Sequence, residues 1–282
     1  MSRLLVLIFS ALALTPALGL DAGLQAEFPF DFSNGLIWVH VQTPLSARSL
    51  EFVLDSGAGV SVLDLRVSKE LRLKRGKRVT VEGVSGTTSG FWPQHMAATV
   101  GSVDVGGDFL AMDLSQLHQT GGLNVDGLIG AEFFRHHIVR IDFSKRKVRL
   151  LNQVDLAADC QCFALETAHS ALRIKARVNA GCYQWFRLDT GCAGSLQWTT
   201  PDALPKISSA EMAVAFAAVS IPTSQCRLRL GNLEFLVLTG LHSKPIFEGE
   251  SGLIGNGVFS RFPSVTFDVE GRRWILENPA RE

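Results

Sequence analysis

Two short stretches of this chain place an acid and a hydroxyl where little else is polar. Residues 52–59 read FVLDSGAG and residues 186–194 read FRLDTGCAG. In each, an apolar run ends in an aspartate, followed by a hydroxyl residue and a glycine: Asp55-Ser56-Gly57 and Asp189-Thr190-Gly191. An unpaired carboxylate at the end of an apolar strand is costly. Two of them in one chain suggest that each is the other's partner. A pair of carboxyls sharing a proton can hold a water, one group taking its proton while the other protonates the group under attack. Asp55 and Asp189 are therefore the candidate catalytic residues. Gly57 and Gly191, which follow the hydroxyl residues Ser56 and Thr190, let the backbones approach without a Cβ.

The elements around these loops are written twice. Leu36–Gln42 alternates as a strand, a turn follows, and residues 51–54 run into Asp55. Leu172–Val178 alternates likewise, a turn follows, and residues 184–188 run into Asp189. Downstream, Asp126-Gly-Leu-Ile-Gly130 and Ser251-Gly-Leu-Ile-Gly255 each precede a short aromatic helix and a strand bearing an aspartate, Asp142 or Asp268. The two Asp motifs lie 134 positions apart (189 − 55) and the two Gly-Leu-Ile-Gly motifs 125 apart (252 − 127). A mainly β protein made of two similar lobes follows, with residues 20–155 in the first, 156–282 in the second, and a cleft between.

These paired motifs resemble the aspartic protease superfamily. One copy is similar to a retropepsin-like subunit, and two fused copies to the bilobal, pepsin-like arrangement. The resemblance implies an acid-protease β-barrel fold for each lobe and the dyad Asp55/Asp189 as the site of peptide hydrolysis. It also implies that Leu128, Ile129 and Gly130, with Leu253, Ile254 and Gly255, cross behind the catalytic loops as clamps. Pepsin-like enzymes often carry a hydroxyl three positions after each aspartate. Here those positions hold Ala58, as in retroviral-type enzymes, and Cys192, a departure.

Residues 79–91 read as strand, glycine-rich turn and strand, a hairpin able to close over a substrate, with Gly83, Ser85 and Gly86 at its tip. The matching segment 211–219 has no paired glycines and reads as easily as helix, so one lid is expected, from the first lobe. The tyrosine of pepsin's lid has no counterpart; Tyr183 is the chain's single tyrosine.

Composition narrows the partners. With 27 basic and 27 acidic side chains the formal charge is zero, which gives no electrostatic reason to expect nucleic acid. The basic run 72–78 reads as a solvated face. Residues 1–19 have the layout of a signal peptide, with Arg3, an apolar core and Ala17-Leu18-Gly19. Export to the periplasm or medium is expected, with no stable membrane insertion after cleavage. In an exported protein, bridges among Cys160, Cys162, Cys182, Cys192 and Cys226 are plausible, one thiol being left over.

No His-Glu-x-x-His or Gly-x-Ser-x-Gly occurs, and His136-His137 reads as a solvated pair. No metal and no cofactor are called for. The expected partner is a peptide or protein substrate, and fusion of the lobes favours a monomer over lobes that need a second chain. The competing reading is a catalytically inactive protease-fold module that binds peptide or glycan.

Overall fold

A computed structural model describes residues 23–83, 86–115, 117, 124–156, 160–200, 204–214 and 217–278. Its described residues are mainly β. The signal-peptide reading of residues 1–19 and the lid residue Ser85 lie outside them.

Two eight-stranded sheets repeat one topology. In the first, the spatial order is Asp31–Ser33, Leu36–Val41, Leu50–Leu54, Gly127–Ile129, Val62–Asp64, Leu110–Met112, Gly86–Pro93, Arg75–Gly83. In the second it is Glu166–Ala168, Ala171–Val178, Tyr183–Asp189, Gly252–Gly255, Leu196–Thr199, Leu233–His242, Ala217–Leu230, Ser208–Val214. Each position in one list has a counterpart in the other. The Gly-Leu-Ile strands lie parallel to the Asp-bearing strands, pairing Leu128 with Val53 and Leu253 with Arg187.

Inward-facing residues account for the strands. Along Ala171–Val178, Leu172, Ile174, Ala176 and Val178 are buried, while Arg173 and Lys175 turn outward to cover the Trp185 ring at 4.7 and 5.1 Å. The second sheet also curls on itself, since Ala171–Val178 pairs with Ala217–Leu230. In the first half an isolated Gln42–Thr99 bridge links the end of Leu36–Val41 to a separate two-stranded ribbon, Thr99–Val100 with Val103–Asp104.

A third, six-stranded sheet joins the halves. Leu24–Pro29, Lys147–Leu151 and Ile138–Asp142 come from the first, and Ser264–Asp268, Arg273–Glu277 and Cys160–Ala164 from the second. Its centre pairs Ile141 with Val265 and Val139 with Phe267. Helix α1 (Leu65–Glu70) packs beside strands Val62–Asp64 and Leu110–Met112 of the first sheet, whereas α2 (Ala131–His136) and α3 (Asn256–Phe259) supply Phe134 and Phe259 to the six-stranded sheet, where their rings meet Phe267 at 4.9 and 6.3 Å and Phe259 also meets Trp274 at 5.5 Å. Each such buried ring stabilises the fold by roughly 2–3 kcal/mol.

One expectation is corrected here. The segment around residues 211–219 is not helical. Ser208–Val214 and Ala217–Leu230 form an antiparallel hairpin whose last pair is Val214 with Ala217, and it occupies the same place in its sheet as Arg75–Gly83 with Gly86–Pro93. Both halves therefore carry a hairpin where the sequence suggested one. The basic run behaves as read: Arg72, Lys74, Arg75, Lys77 and Arg78 are exposed. Asp142 accepts from the Lys145 N–H at 2.8 Å and Asp268 from Arg273 Nε at 2.9 Å, as turn-side partners.

Candidate active site

The Asp-bearing strands end side by side. Asp55 follows strand Leu50–Leu54, its N–H donating to the Ile129 carbonyl at 2.8 Å; Asp189 closes strand Tyr183–Asp189 and pairs in register with Gly255. The Gly-Leu-Ile segments thus support both loops from behind. Gly130 N–H donates to Ser61 Oγ at 2.9 Å and Gly255 N–H to the Ser195 carbonyl at 3.1 Å, tying each segment to the turn beyond its own aspartate.

Four hydrogen bonds cross between the loops. Ser56 N–H donates to Thr190 Oγ1 at 2.8 Å, and Thr190 N–H to Ser56 Oγ at 3.0 Å. Each hydroxyl in turn donates to the strand opposite, Ser56 to the Leu188 carbonyl at 2.8 Å and Thr190 to the Leu54 carbonyl at 2.7 Å. Ser56 and Thr190 are fully buried, where an unmade hydrogen bond carries its full desolvation cost. Close approach also requires both glycines. A Cβ on Gly57 would lie 2.4 Å from Asp189 Cγ, and one on Gly191 would lie 2.4 Å from Asp55 Cγ. No other residue fits at either position.

The carboxyls meet in this frame. Asp55 Oδ1 accepts from Gly57 and Ala58 N–H at 2.9 and 3.0 Å. Asp189 Oδ1 accepts from Gly191 N–H at 2.9 Å. Burial pushes both carboxyls above their ordinary range, and Asp55 raises Asp189 further, so that Asp189 lies well above it. The extra N–H on Asp55 favours its anion, and Arg187 opposes the rise in both. Two adjacent acids of this kind hold one proton between them over a wide pH range.

Each half also braces the other's loop from outside. The turn Asn34-Gly35, with φ of 52° and 74°, sits against Ala193, and the turn His169-Ser170, with φ of 47° and 65°, approaches Gly59. Asn256 at the start of α3 donates through Nδ2 to the Thr190 carbonyl at 2.7 Å and the Gly35 carbonyl at 2.8 Å. Arg135 of α2 donates to the Ser170 and Gly59 carbonyls at 3.0 and 3.3 Å.

Burial and the nearby Asp189 push the Cys192 thiol far up, so it stands beside the dyad as a neutral thiol. Cys162, Cys182, Cys192 and Cys226 carry free thiols in this structure, and it is Cys226 that is buried in the core. His137 is half-buried against Phe133, which together with the neighbouring His136 lowers its pKa. Among the described residues, no group of three or more His, Cys, Asp or Glu is placed to hold a metal ion.

The lid hairpin is present in the first half, with Gly83 paired to Gly86 across its turn. Three residues at the site were not anticipated from the sequence: Arg187, Glu250 and Asn256. The first had a visible signal, a charge set between Phe186 and Leu188 in a strand that must be buried.

The mainly β architecture, with its repeated sheets, is that of an aspartyl-protease type of fold. Residues 43–133 match the family model described as aspartyl protease, and the match supports assignment to the aspartyl protease superfamily. It spans Asp55-Ser56-Gly57, the lid hairpin and Leu128-Ile129-Gly130. The second half repeats the same topology outside the matched segment. No curated protein matches the chain.

Proposed function

We propose that the chain is an exported aspartic endopeptidase in which Asp55 and Asp189 together activate a water. The observation that carries this reading is the reciprocal Ser56–Thr190 bonding, which holds the two carboxyls against each other at the mouth of two equivalent strands. Asp55, with two N–H donors, is the carboxylate that takes a proton from the water. The water oxygen bonds to the carbonyl carbon of the scissile peptide, while Asp189 passes its proton to the carbonyl oxygen. The resulting diol collapses as a proton moves to the amide nitrogen and the C–N bond breaks, leaving an acid, an amine and the dyad with its single proton.

In this reading the two lobes, residues 20–155 and 156–282, form a monomer with a cleft for an extended peptide. The hairpin with Gly83, Ser85 and Gly86 at its tip covers the substrate. Its strands supply backbone groups that pair with a peptide chain. No metal or organic cofactor takes part. Export rests on the layout of residues 1–19, and N-terminal sequencing of the protein recovered outside the cytoplasm, starting near Leu20, is the test of that element.

The catalytic reading is tested by incubating purified protein with a denatured protein mixture between pH 3 and 7. Cleavage that disappears in both Asp55→Asn and Asp189→Asn is the expected result. Folded protein that cleaves nothing at any pH, yet retains a bound peptide, would instead support a binding module.

A further inference from the structure

The strand registers make Val53 and Arg187 equivalent, each two residues before its aspartate, and make Val125 and Glu250 equivalent, each two residues before its Gly-Leu-Ile. In the first half these positions are what a buried strand dictates: Val53 and Val125 are 3% and 1% exposed and pack together with Leu36, Trp38 and Val62. In the second half the same two places hold opposite charges, 8% and 6% exposed.

Burying that pair costs several kcal/mol per ion before any attraction is counted, so the arrangement calls for a use. The guanidinium is fully engaged. Nε and Nη2 donate to the two Glu250 carboxylate oxygens at 2.8 and 3.2 Å. The plane lies over the Phe247 ring, 3.4 Å from its centroid. The remaining arm, Nη1, leaves its own half and donates at 2.8 Å to the carbonyl of Gly57, in the opposite catalytic loop. Gly57 is the residue whose N–H holds Asp55 Oδ1 and whose missing side chain admits Asp189.

We propose that Arg187 is a positioning residue: clamped by Glu250 and Phe247, it holds the Gly57 peptide from the opposite half and so fixes the Asp55–Asp189 pair from one side only. This deepens the aspartic endopeptidase reading and rests on it for its catalytic consequence. Among the described residues no bond from the first half does the same for Gly191, and Val53, the counterpart of Arg187, has nothing to donate. The pair is thereby braced by an asymmetric contact, made from the second half to the first.

The charge of Arg187 also acts on the dyad, holding both carboxyls lower than burial alone would set them. Among the described residues, the other titratable or charged groups around the pair include the Cys192 thiol on the second loop, Glu250 behind Arg187, Arg135 of α2 at the Gly59 carbonyl, and Glu132 of α2, whose carboxylate accepts from the Ser61 N–H. Removing Arg187 removes a positive charge, so the dyad binds protons more tightly. Removing the Glu250 charge leaves Arg187 uncompensated, so the dyad binds them more weakly.

The test compares the pH profile of kcat/KM, and in parallel the pH dependence of Tm, for wild type, Arg187→Met, Arg187→Lys, Glu250→Gln and the double variant Arg187→Met with Glu250→Leu. Arg187→Met is expected to move both limbs of the profile upward by roughly one pH unit, the low end of the effect of a close opposite charge. Glu250→Gln is expected to move them downward. Arg187→Lys keeps the charge but loses the fork, so it should keep the limbs near wild type while kcat falls about tenfold. The double variant, apolar like Val53 and Val125, keeps an upward shift smaller than that of Arg187→Met, because the more distant Glu250 charge is gone as well, and recovers stability, which secures the test if Arg187→Met folds poorly.

The Tm curves read the dyad without turnover. Stability contributed by the protonated pair is lost as pH rises through its folded pKa, and in Arg187→Met that loss is expected at higher pH. Limbs and Tm curves that stay within about 0.2 pH unit of wild type in both charge-removing variants, or shift the same way, overturn the proposal. Wild-type protein without Asp-dependent cleavage overturns the endopeptidase reading alone, and the Tm curves then still decide whether Arg187 acts on the pair.

Discussion

The loops Asp55-Ser56-Gly57 and Asp189-Thr190-Gly191 exchange the same four hydrogen bonds, at 2.7 to 3.0 Å, yet the strands leading into them differ sharply. One carries Val53 above an apolar cluster; the other carries Arg187 paired with Glu250. The halves differ again one residue further on. Asp126 of the first is fully buried and accepts from Arg48 Nη1 and Nη2 at 2.5 and 3.1 Å, from Arg66 Nη2 at 2.7 Å and from the Glu51 N–H at 2.9 Å. Its counterpart is Ser251. Contacts that bring the carboxyls together are thus kept alike, because each loop needs the other. Contacts beneath them have been free to diverge, and one charged cluster lies outward at Asp126 while the other reaches inward to the dyad.

That comparison can be broken most directly at the aspartates. In the proposed mechanism both carboxyls act together, so Asp55→Asn and Asp189→Asn should each lower cleavage on the order of a thousandfold or more. A variant retaining a tenth of the activity would show the halves to be functionally unequal. Gly57→Ala and Gly191→Ala come next. Each Cβ would fall 2.4 Å from the opposite carboxyl carbon, so activity should drop about a hundredfold in both, as expected for a displacement of about 1 Å at a reacting group.

The crossed hydroxyls sharpen the comparison through stability. Ser56→Ala and Thr190→Ala each remove one donor and one acceptor from buried backbone groups, at a cost of roughly 2–4 kcal/mol by urea unfolding, and the two costs should agree within about 1 kcal/mol. Thr190→Ser, which keeps the hydroxyl, should lose less than half as much. Asp126→Asn tests the divergent side. Burial alone would raise the Asp126 carboxyl, but Arg48, the Glu51 N–H and Arg66 together hold it below the usual range. Its contribution is present above the unfolded pKa and lost as pH falls through the folded one. Asp126→Asn should therefore cost about 1–3 kcal/mol at pH 7, with the gap to wild type closing in acid. The smallest effect has the opposite sign. Asp189→Asn removes a carboxyl whose folded pKa is raised, so Tm should rise by about 2–4 °C at pH 7, and the gain should vanish at a pH low enough to protonate the pair.

Much of this architecture was legible because it is local or repeated. Strand alternation, the two Asp-Ser/Thr-Gly loops and the two Gly-Leu-Ile-Gly segments needed no knowledge of distant partners. The six-stranded sheet did, since Ile141 pairs with Val265 from the other half and nothing in either strand's own pattern names its partner. The second hairpin was obscured for a different reason. Residues 210–219 are rich in alanine and could be read as helix, but residues 223–230 are held as a strand by Leu233–His242, that strand runs back to Ala217, and Ser208–Val214 pairs along its extension, so tertiary pairing overrides a weak local preference. Arg187 stood in plain sight within FRLD. What the sequence could not supply was Glu250, 63 residues away, the partner that makes a charge in that buried strand tenable.

The most direct test of the account is cleavage of a denatured protein mixture by the wild-type chain, Asp55→Asn and Asp189→Asn, side by side from pH 3 to 7, with folding of each checked by its unfolding transition. Cleavage by wild type and its loss in both folded variants are expected. Cleavage that persists in either variant, or a folded wild type that cleaves nothing, would contradict a shared dyad.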